Sequence, residues 1–205
     1  DFYDFIPLGR EHLGLVIADV SDKGMAAAMF MSMSRTLVRA AATTRSPART
    51  LQRVNELIMT DTRSGMFVTV FYGVLHWRSG ALTYASAGHN PPVLWRHNAP
   101  QATSLTAKGI ALGVIDDITL EERKIAIEPG DILVLYTDGV TEPINAQEEE
   151  FGEERLKQVI ARSHDEPCDK IVKRIHAAVL DFTGDQPLFD DYTLLGVKRT
   201  MTSDE

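Results

Sequence analysis

Three places in this chain aim a carboxylate from the end of an apolar run. Residues 132–136, Ile-Leu-Val-Leu-Tyr, read as a strand buried on both faces, yet the run leads straight to Asp138 and Gly139. Asp19 closes the apolar stretch 14–18 and precedes Val-Ser-Asp-Lys-Gly, while Asp190 and Asp191 stand just before Tyr-Thr-Leu-Leu. Taken singly, each acid has a plain structural use: Asp19 or Asp22 can cap a helix starting near Gly24, and Asp190 can cap a turn. Taken together, they point to a hard divalent cation, whose natural ligands are oxygens. Two unit negative charges ~4 Å apart repel by ~4 kcal/mol at an effective dielectric near 20. A fold worth about 5–15 kcal/mol can gather several such charges only if something compensates them.

The elements that must position these acids follow from pattern and punctuation. Strands are expected over residues 2–8 and 12–20, paired as a hairpin around Gly9 and Arg10, and again over 67–77, 82–89, 93–95, 118–127, 132–138 and 192–198. Helices are expected over 24–43, over 47–62 with Pro47 in the first turn, and over 153–162 and 168–182. The Met-rich start of the first helix, residues 25–33, reads as core packing rather than as a groove for a partner. Strands thus come in runs joined by short turns, and helices come in pairs. That order favours an α+β fold of antiparallel sheets with helices packed outside, not a doubly wound parallel sheet. No internal repeat or low-complexity linker interrupts the pattern, so residues 1–199 are expected to form one domain and 200–205 a frayed tail.

Composition narrows the function. In 205 residues, 44% hydrophobic content is enough for a packed core. The formal charge of -8, with no compensating Lys/Arg cluster, argues against nucleic acid as a partner. No apolar stretch reaches the ~20 residues needed to span a bilayer, so the domain is expected to be soluble and to make no membrane contact. Cys168 is the only cysteine; this excludes an internal disulfide framework and fits a cytoplasmic location. Asp1 opens in strand-like sequence with neither an initiating Met nor a signal-peptide pattern, which reads as a piece cut from a longer protein.

Six segments, in order, carry a resemblance: "DFYDF" at 1–5, "IADVSDKG" at 17–24, "FVTVFYG" at 67–73, "ASAGHNPP" at 85–92, "PGDILVLYTDGVTE" at 129–142 and "FDDYTLL" at 189–195. Together they resemble the bacterial PPM-type (protein phosphatase 2C-like) serine phosphatases, in the branch of stage II sporulation protein E and the RsbU-like stress regulators. The resemblance implies an αββα sandwich and two or more Mg2+ or Mn2+ ions. It implies that Asp19 bridges two metals, that the Val20 carbonyl adjoins it as a main-chain ligand, and that Asp138 and Asp190 hold the second ion. Asp191 is the alternative to Asp190. Asp1 matches the acid of the family's "GGD" motif, whose glycines are absent because the chain starts inside it. Two features depart from the pattern: Asp22 stands where many relatives read Gly in "DVSGKG", and the amino-terminal Arg that grips phosphate in eukaryotic members has no counterpart that can be placed.

The chemistry implied is hydrolysis of a phosphoserine or phosphothreonine by a water activated between two cations ~3.5–4 Å apart, with no phosphorylated enzyme intermediate. The implied substrate is a phosphorylated regulatory protein, an anti-sigma-factor antagonist, and relatives carry a sensory or coiled-coil region upstream. Lys23 reads as a phosphate contact or as a solvated loop lysine. His89 reads as a general acid for the leaving serine or as a histidine holding the turn before Pro91 and Pro92. Thr141 and Glu142 read as part of the turn after Asp138 or as groups orienting the ligands. Rival chemistries fit less well. Cys168 and Arg174 have the C-x5-R spacing of cysteine phosphatases but lie in an amphipathic helical pattern with no glycine between them. Asp19 and Asp22 lack D-x-D spacing, and P-loop and HExxH signatures are missing. The remaining alternative is a non-catalytic relative of the fold, or an acidic signalling module, that binds a regulatory partner.

Overall fold

A computed structural model of the chain describes residues 1–61 and 65–200. In chain order the elements are β1 (Phe2–Pro7), β2 (His12–Val20), α1 (Met25–Ala41), α2 (Pro47–Asp61), β3 (Val68–His76), β4 (Ala81–Ala87), β5 (Val93–Arg96), β6 (Gln101–Ser104), β7 (Arg123–Ala126), β8 (Ile132–Tyr136), α3 (Gly152–Ser163), α4 (Cys168–Thr183) and β9 (Leu194–Lys198). They divide into two compact units, neither continuous in sequence. The first holds residues 1–91 and 106–126; the second holds 92–105 and the chain from 127 onward. The last position of the expected second helix and the expected tail, 201–205, lie outside the described residues.

The first unit is a five-stranded antiparallel sheet, ordered β1-β2-β3-β4-β7, with α1 and α2 on one face. Side chains alternate across a strand, so Val16, Ala18 and Val20 on β2 share a face with Val70, Tyr72 and Val74 on β3. That face packs against Ala27, Phe30 and Val38 of α1 and Leu51, Val54 and Ile58 of α2, positions spaced to fall on one helical stripe. The opposite face carries Leu15, Ile17, Phe71 and Tyr84, which are buried as well. The middle strands are therefore apolar throughout, as strands buried on both faces must be.

Two ties fix this unit beyond apolar packing. Asp4 faces inward from β1 and receives hydrogen bonds from Arg39 of α1, Nη2 to Oδ1 at 2.6 Å and Nε to Oδ2 at 2.9 Å, with Arg35 Nε 3.5 Å from Oδ2. Asn55 of α2 is fully buried; its amide donates to the Ile115 and Asp116 carbonyls at 2.9 and 2.8 Å and accepts from the Gly113 N–H at 2.9 Å. Gln52 donates to the Ile118 carbonyl at 3.1 Å, so α2 holds the chain from Gly113 to Ile118, where the expected strand over 118–127 would have begun. The expected strand is cut to β7, and Ile118 and Leu120 are buried as anchors of a loop instead.

The second unit is a four-stranded antiparallel sheet, ordered β6-β5-β8-β9, with α3 and α4 on one face. Its core joins Val93, Trp95, Ile132, Val134 and Tyr136 to Leu156, Ile160, Ile171, Ile175 and Val179. β6, Gln-Ala-Thr-Ser, was not expected: it is too short and polar to read as a strand, and is held by its register with β5, Val93 opposite Ser104. No helix among the described residues is long and apolar enough to cross a membrane.

The Asp4 cluster yields a stability prediction. Arg39's hydrogen bonds are the largest influence on Asp4 and hold its carboxyl below the usual range against the opposing cost of burial. A depressed carboxylate contributes stability that is complete above its unfolded pKa and is lost as pH falls through its folded one. Asp4→Asn should therefore cost about 2 kcal/mol at pH 7. The difference in melting temperature from the wild type should shrink steadily once the pH drops below about 4. Equal melting curves at pH 7 would show that the cluster contributes nothing.

Candidate functional site

Each unit gathers its own acids at the end of a sheet. In the first, β1 and β2 pair antiparallel with Phe2 opposite Ala18, so that Asp1 and Asp19 each stand one residue beyond that pair. On the other side Asp19 lies opposite Thr69 and Val20 opposite Val68. The Asp19 side chain is part-exposed while Ile17 and Ala18 before it are fully buried, so the strand leaves the core at this residue. Behind it, Thr69 Oγ1 lies 3.5 Å from the Asp19 carbonyl oxygen and 2.8 Å from His89 Nδ1. The His89 ring is buried, and its backbone is held by Ser86: the His89 N–H donates to Ser86 Oγ at 3.2 Å and Ser86 Oγ donates to the His89 carbonyl at 3.3 Å. Gly88, at φ +73°, makes that turn possible. One ring nitrogen of His89 thus faces the protein, as a turn-holding histidine requires.

Lys23 is exposed and follows Asp22, whose Oδ1 accepts the Lys23 N–H at 3.1 Å. Asp22 does not cap α1. The N-cap is Gly24, with no side-chain hydrogen bond, and Asp22 instead occupies the left-handed region at φ +76°. That conformation explains why relatives can carry Gly here, and why Asp, among the residues that best tolerate it, can replace it.

In the second unit, β8 is buried along its whole length and pairs with β9, ending with Tyr136 opposite Leu194. The pairing runs one step further: the Thr137 N–H donates to the Thr193 carbonyl at 3.1 Å, and the Thr193 N–H donates to Thr137 Oγ1 at 3.1 Å. The chain then turns at once into a short 3-10 turn, Asp138–Val140, so Asp138 starts that turn rather than ending the strand. The Gly139 N–H donates to Asp138 Oδ1 at 2.8 Å, and the Asp138 carbonyl accepts the N–H groups of Thr141 and Glu142, both at 2.8 Å. Gly139 lies against the Asp191 carbonyl so closely that a Cβ there would fall 2.0 Å from its oxygen. Asp138 and the Asp190–Asp191 segment are thereby brought together. Asp138 is part-exposed; Asp190 and Asp191 are exposed, with the Asp191 N–H donating to Asp190 Oδ1 at 2.8 Å.

Glu142 joins this group, which the sequence pattern had left between two roles. Burial pushes its carboxyl above the usual range, and repulsion from Asp138, Glu150 and Asp190 adds to the shift. Glu150 had not been singled out; its only signal is the isolated bridge that pairs it with Ile144. Among the described residues no three His, Cys, Asp or Glu side chains stand close enough to hold a metal ion. All the available donors are hard oxygens, the ligand chemistry of Mg2+ and Mn2+, and the mutual repulsion around Glu142 is what a cation would relieve. The cysteine alternative lacks the needed geometry. Cys168 opens α4, its thiol is pushed up by burial, and Arg174 on the same helix is paired with Glu166 at 3.2 Å.

The fold, two antiparallel sheets each with a helix pair, is that of the PPM-type (PP2C) phosphatase domains. The model of the Stage II sporulation protein E family matches residues 9–200, and the chain belongs to that family. It is 32% identical over 202 residues to the phosphoserine phosphatase RsbU of Bacillus subtilis, covering 97% of this chain and 59% of that protein. It is also 31% identical to protein IcfG of Synechocystis, covering 97% of this chain and 36% of that protein. The chain therefore spans less than two thirds of the length of these relatives. Among solved structures, the RsbU and RsbW domains of a Mycobacterium tuberculosis protein superpose with a TM-score of 0.84 at 28% identity, over 98% of this chain and 55% of that one. The SpoIIE phosphatase domain of Bacillus subtilis, at 18% identity and a TM-score of 0.80 over 96% of this chain and 57% of that one, shares the fold.

The close approach at Gly139 can be tested directly. Gly139→Ala should force the Asp138 turn away from the Asp191 carbonyl and cost about 1–3 kcal/mol, the usual range for overpacking a filled site. Thermal unfolding at neutral pH measures it, and an unchanged midpoint would show that the two segments are not held in contact.

Proposed function

We propose that this domain is a metal-dependent protein serine/threonine phosphatase whose substrate is a phosphorylated regulatory protein, an anti-sigma-factor antagonist. The observation that carries the reading is the convergence of acids beyond the ends of β8 and β9, where Gly139 meets the Asp191 carbonyl and Asp138 and Asp190 both lie near Glu142, on a chain 32% identical to RsbU, a phosphoserine phosphatase. Asp1, Asp19 and the Val20 carbonyl in one unit, and Asp138 and Asp190 in the other, would hold two or more Mg2+ or Mn2+ ions; Asp191 is the alternative to Asp190. A magnesium complex of RsbX, which shares the fold at 17% identity and a TM-score of 0.66, is in keeping with that chemistry. When bound, such ions supply an activated water and offset charge on a transferring phosphoryl group.

The chain's own residues do the positioning. Asp138 is aimed by a strand with no exposed residue, and the Gly139 N–H fixes one of its oxygens, so its direction costs little to maintain. Asp19 is held by the ladder to β3, one step beyond the ladder that pairs Ala18 with β1, with Thr69 and His89 behind its backbone. His89 acts here as a positioning residue, since its Nδ1 faces Thr69. Lys23, exposed on the loop after Val20, would be the contact to the substrate phosphate. The proposal includes a cytoplasmic setting, where such phosphoproteins reside, and control by a sensory or coiled-coil region of the same protein.

Asp19→Asn and Asp138→Asn should each abolish Mn2+-dependent hydrolysis of para-nitrophenyl phosphate while the folded signature by circular dichroism is kept. Activity near the wild-type level in both would sink the ligand assignment, and a wild-type domain that binds a regulatory partner without turnover would favour the non-catalytic alternative. Mn2+ should also raise the melting temperature, by about 2.7 kcal/mol of added stability at a hundredfold excess over Kd. Because carboxylate ligands bind only when ionised, this gain should fade as the pH falls below about 5. A melting temperature indifferent to Mn2+ at pH 7 would count against the site.

A further inference from the structure

Beside the Asp138 turn the second unit contains a cavity of about 140 Å3. Its walls are mostly apolar, Pro143, Ile144, Leu188 and Phe189, and it is completed by Gly139, Glu142 and Asp190. The volume is close to that of the ~150 Å3 apolar cavity that accepts a benzene ring in another protein, so one aliphatic or aromatic side chain fits. Two of its walls are large apolar residues left open to solvent, Leu188 at 37% and Phe189 at 70% exposure. Apolar surface left open beside a cavity is surface that an apolar side chain entering it would cover.

The position of the cavity identifies the occupant. Asp190 is at once a wall of the cavity and a proposed metal ligand, and Gly139 directly follows Asp138. A phosphoserine presented to those acids would place its neighbours over Phe189 and Leu188. An extended peptide advances ~3.3 Å per residue, so the cavity is within reach of side chains one or two positions from the phosphoserine. Carboxylates at Glu142 and Asp190 disfavour an acidic neighbour, and the apolar walls give nothing to a polar one.

Resting on the phosphatase reading above, we infer that this cavity is a specificity pocket that receives an apolar side chain of the phosphoprotein substrate within two residues of the phosphoserine. Leu188 and Phe189 are specificity-determining residues of the reaction, and the preferred substrates carry Leu, Met or Phe beside the phosphorylated serine.

The test uses short fluorescent phosphoserine peptides that differ only at the two positions on either side of the serine, carrying Leu, Ala or Asp in turn. Phosphate release with Mn2+ and binding by fluorescence anisotropy in EDTA are both measured, with para-nitrophenyl phosphate as a substrate that has no flanks. At one or more positions Leu should exceed Ala by about tenfold in kcat/KM and in affinity, the usual scale for an apolar pocket, and Asp should rank last. In Leu188→Ala and Ile144→Ala that Leu-to-Ala ratio should collapse toward one. A ratio within a single variant is insensitive to how much of that variant folds. Turnover of para-nitrophenyl phosphate with no flank preference in either readout overturns the pocket and leaves the phosphatase reading standing. Flank-dependent binding without turnover of any phosphate ester leaves the pocket standing and overturns the phosphatase reading. A preference that survives unchanged in both variants places the selectivity elsewhere and overturns the assignment.

Discussion

Gly139 and the Asp191 carbonyl approach so closely that one added carbon would lie 2.0 Å from the oxygen, and the second unit's functional end depends on that contact. Hydrogen bonds alone would hold β8 and β9 together only as far as Thr137 and Thr193. Past that point the chains must diverge unless something lets the backbones touch. A glycine does, because it presents no side chain to the neighbouring strand. The result is that two acids separated by more than fifty positions in sequence become neighbours on a short, rigid span of backbone. The sensitivity of Glu142 to both Asp138 and Asp190 is the electrostatic trace of that closeness.

The first unit solves the same problem by register rather than by contact. β2 is paired on both sides, so a one-residue slip would exchange its two faces and set Asp19 among the residues that pack against α1 and α2. The buried face of Val16, Ala18 and Val20 thus fixes where Asp19 emerges. Asp4 shows how differently an inward acid is treated. It is closed by Arg39 and Arg35, and Asp131 in the other unit is enclosed by the Arg96 guanidinium and the N–H groups of His97 and Glu128 at 2.8–2.9 Å. These carboxylates are satisfied by the chain itself. Asp19 and Asp138 stay part-exposed, and Asp190 and Asp191 are exposed.

Much of this was legible because it is local. Long apolar strands such as β2 and β8, the paired helices and the acids at strand ends are all written in consecutive residues. What was not legible is set by distant partners. β6 is a strand only because β5 offers it a ladder, and the chain enters residues 118–122 as a loop tied to α2, Asn55 holding the Ile115 and Asp116 carbonyls and Gln52 the Ile118 carbonyl from some sixty positions earlier. Asp22 could be read as a helix cap on sequence alone; its φ of +76° shows that the backbone chose the residue. Glu150 gave no local sign at all, since it joins the acidic group through its bridge to Ile144. The cavity walls Leu188 and Phe189 likewise looked like an unremarkable lead-in to Asp190.

The distribution of reactive side chains bears on mechanism. A protein nucleophile needs a lowered pKa or an adjacent base and an open approach. Cys168 has neither: burial raises its thiol, and its sulfur lies near Gly196, where an added Cβ would meet it at 2.7 Å. His89 is buried, and the one hydroxyl its Nδ1 meets, Thr69 Oγ1, lies against the Asp19 backbone carbonyl. The side chains gathered at the ends of both sheets are carboxylates, which are weak nucleophiles but strong ligands for hard cations. Under the proposed phosphatase reading, the attacking atom would come from solvent, with acids held at the ends of the two sheets supplying direction and charge.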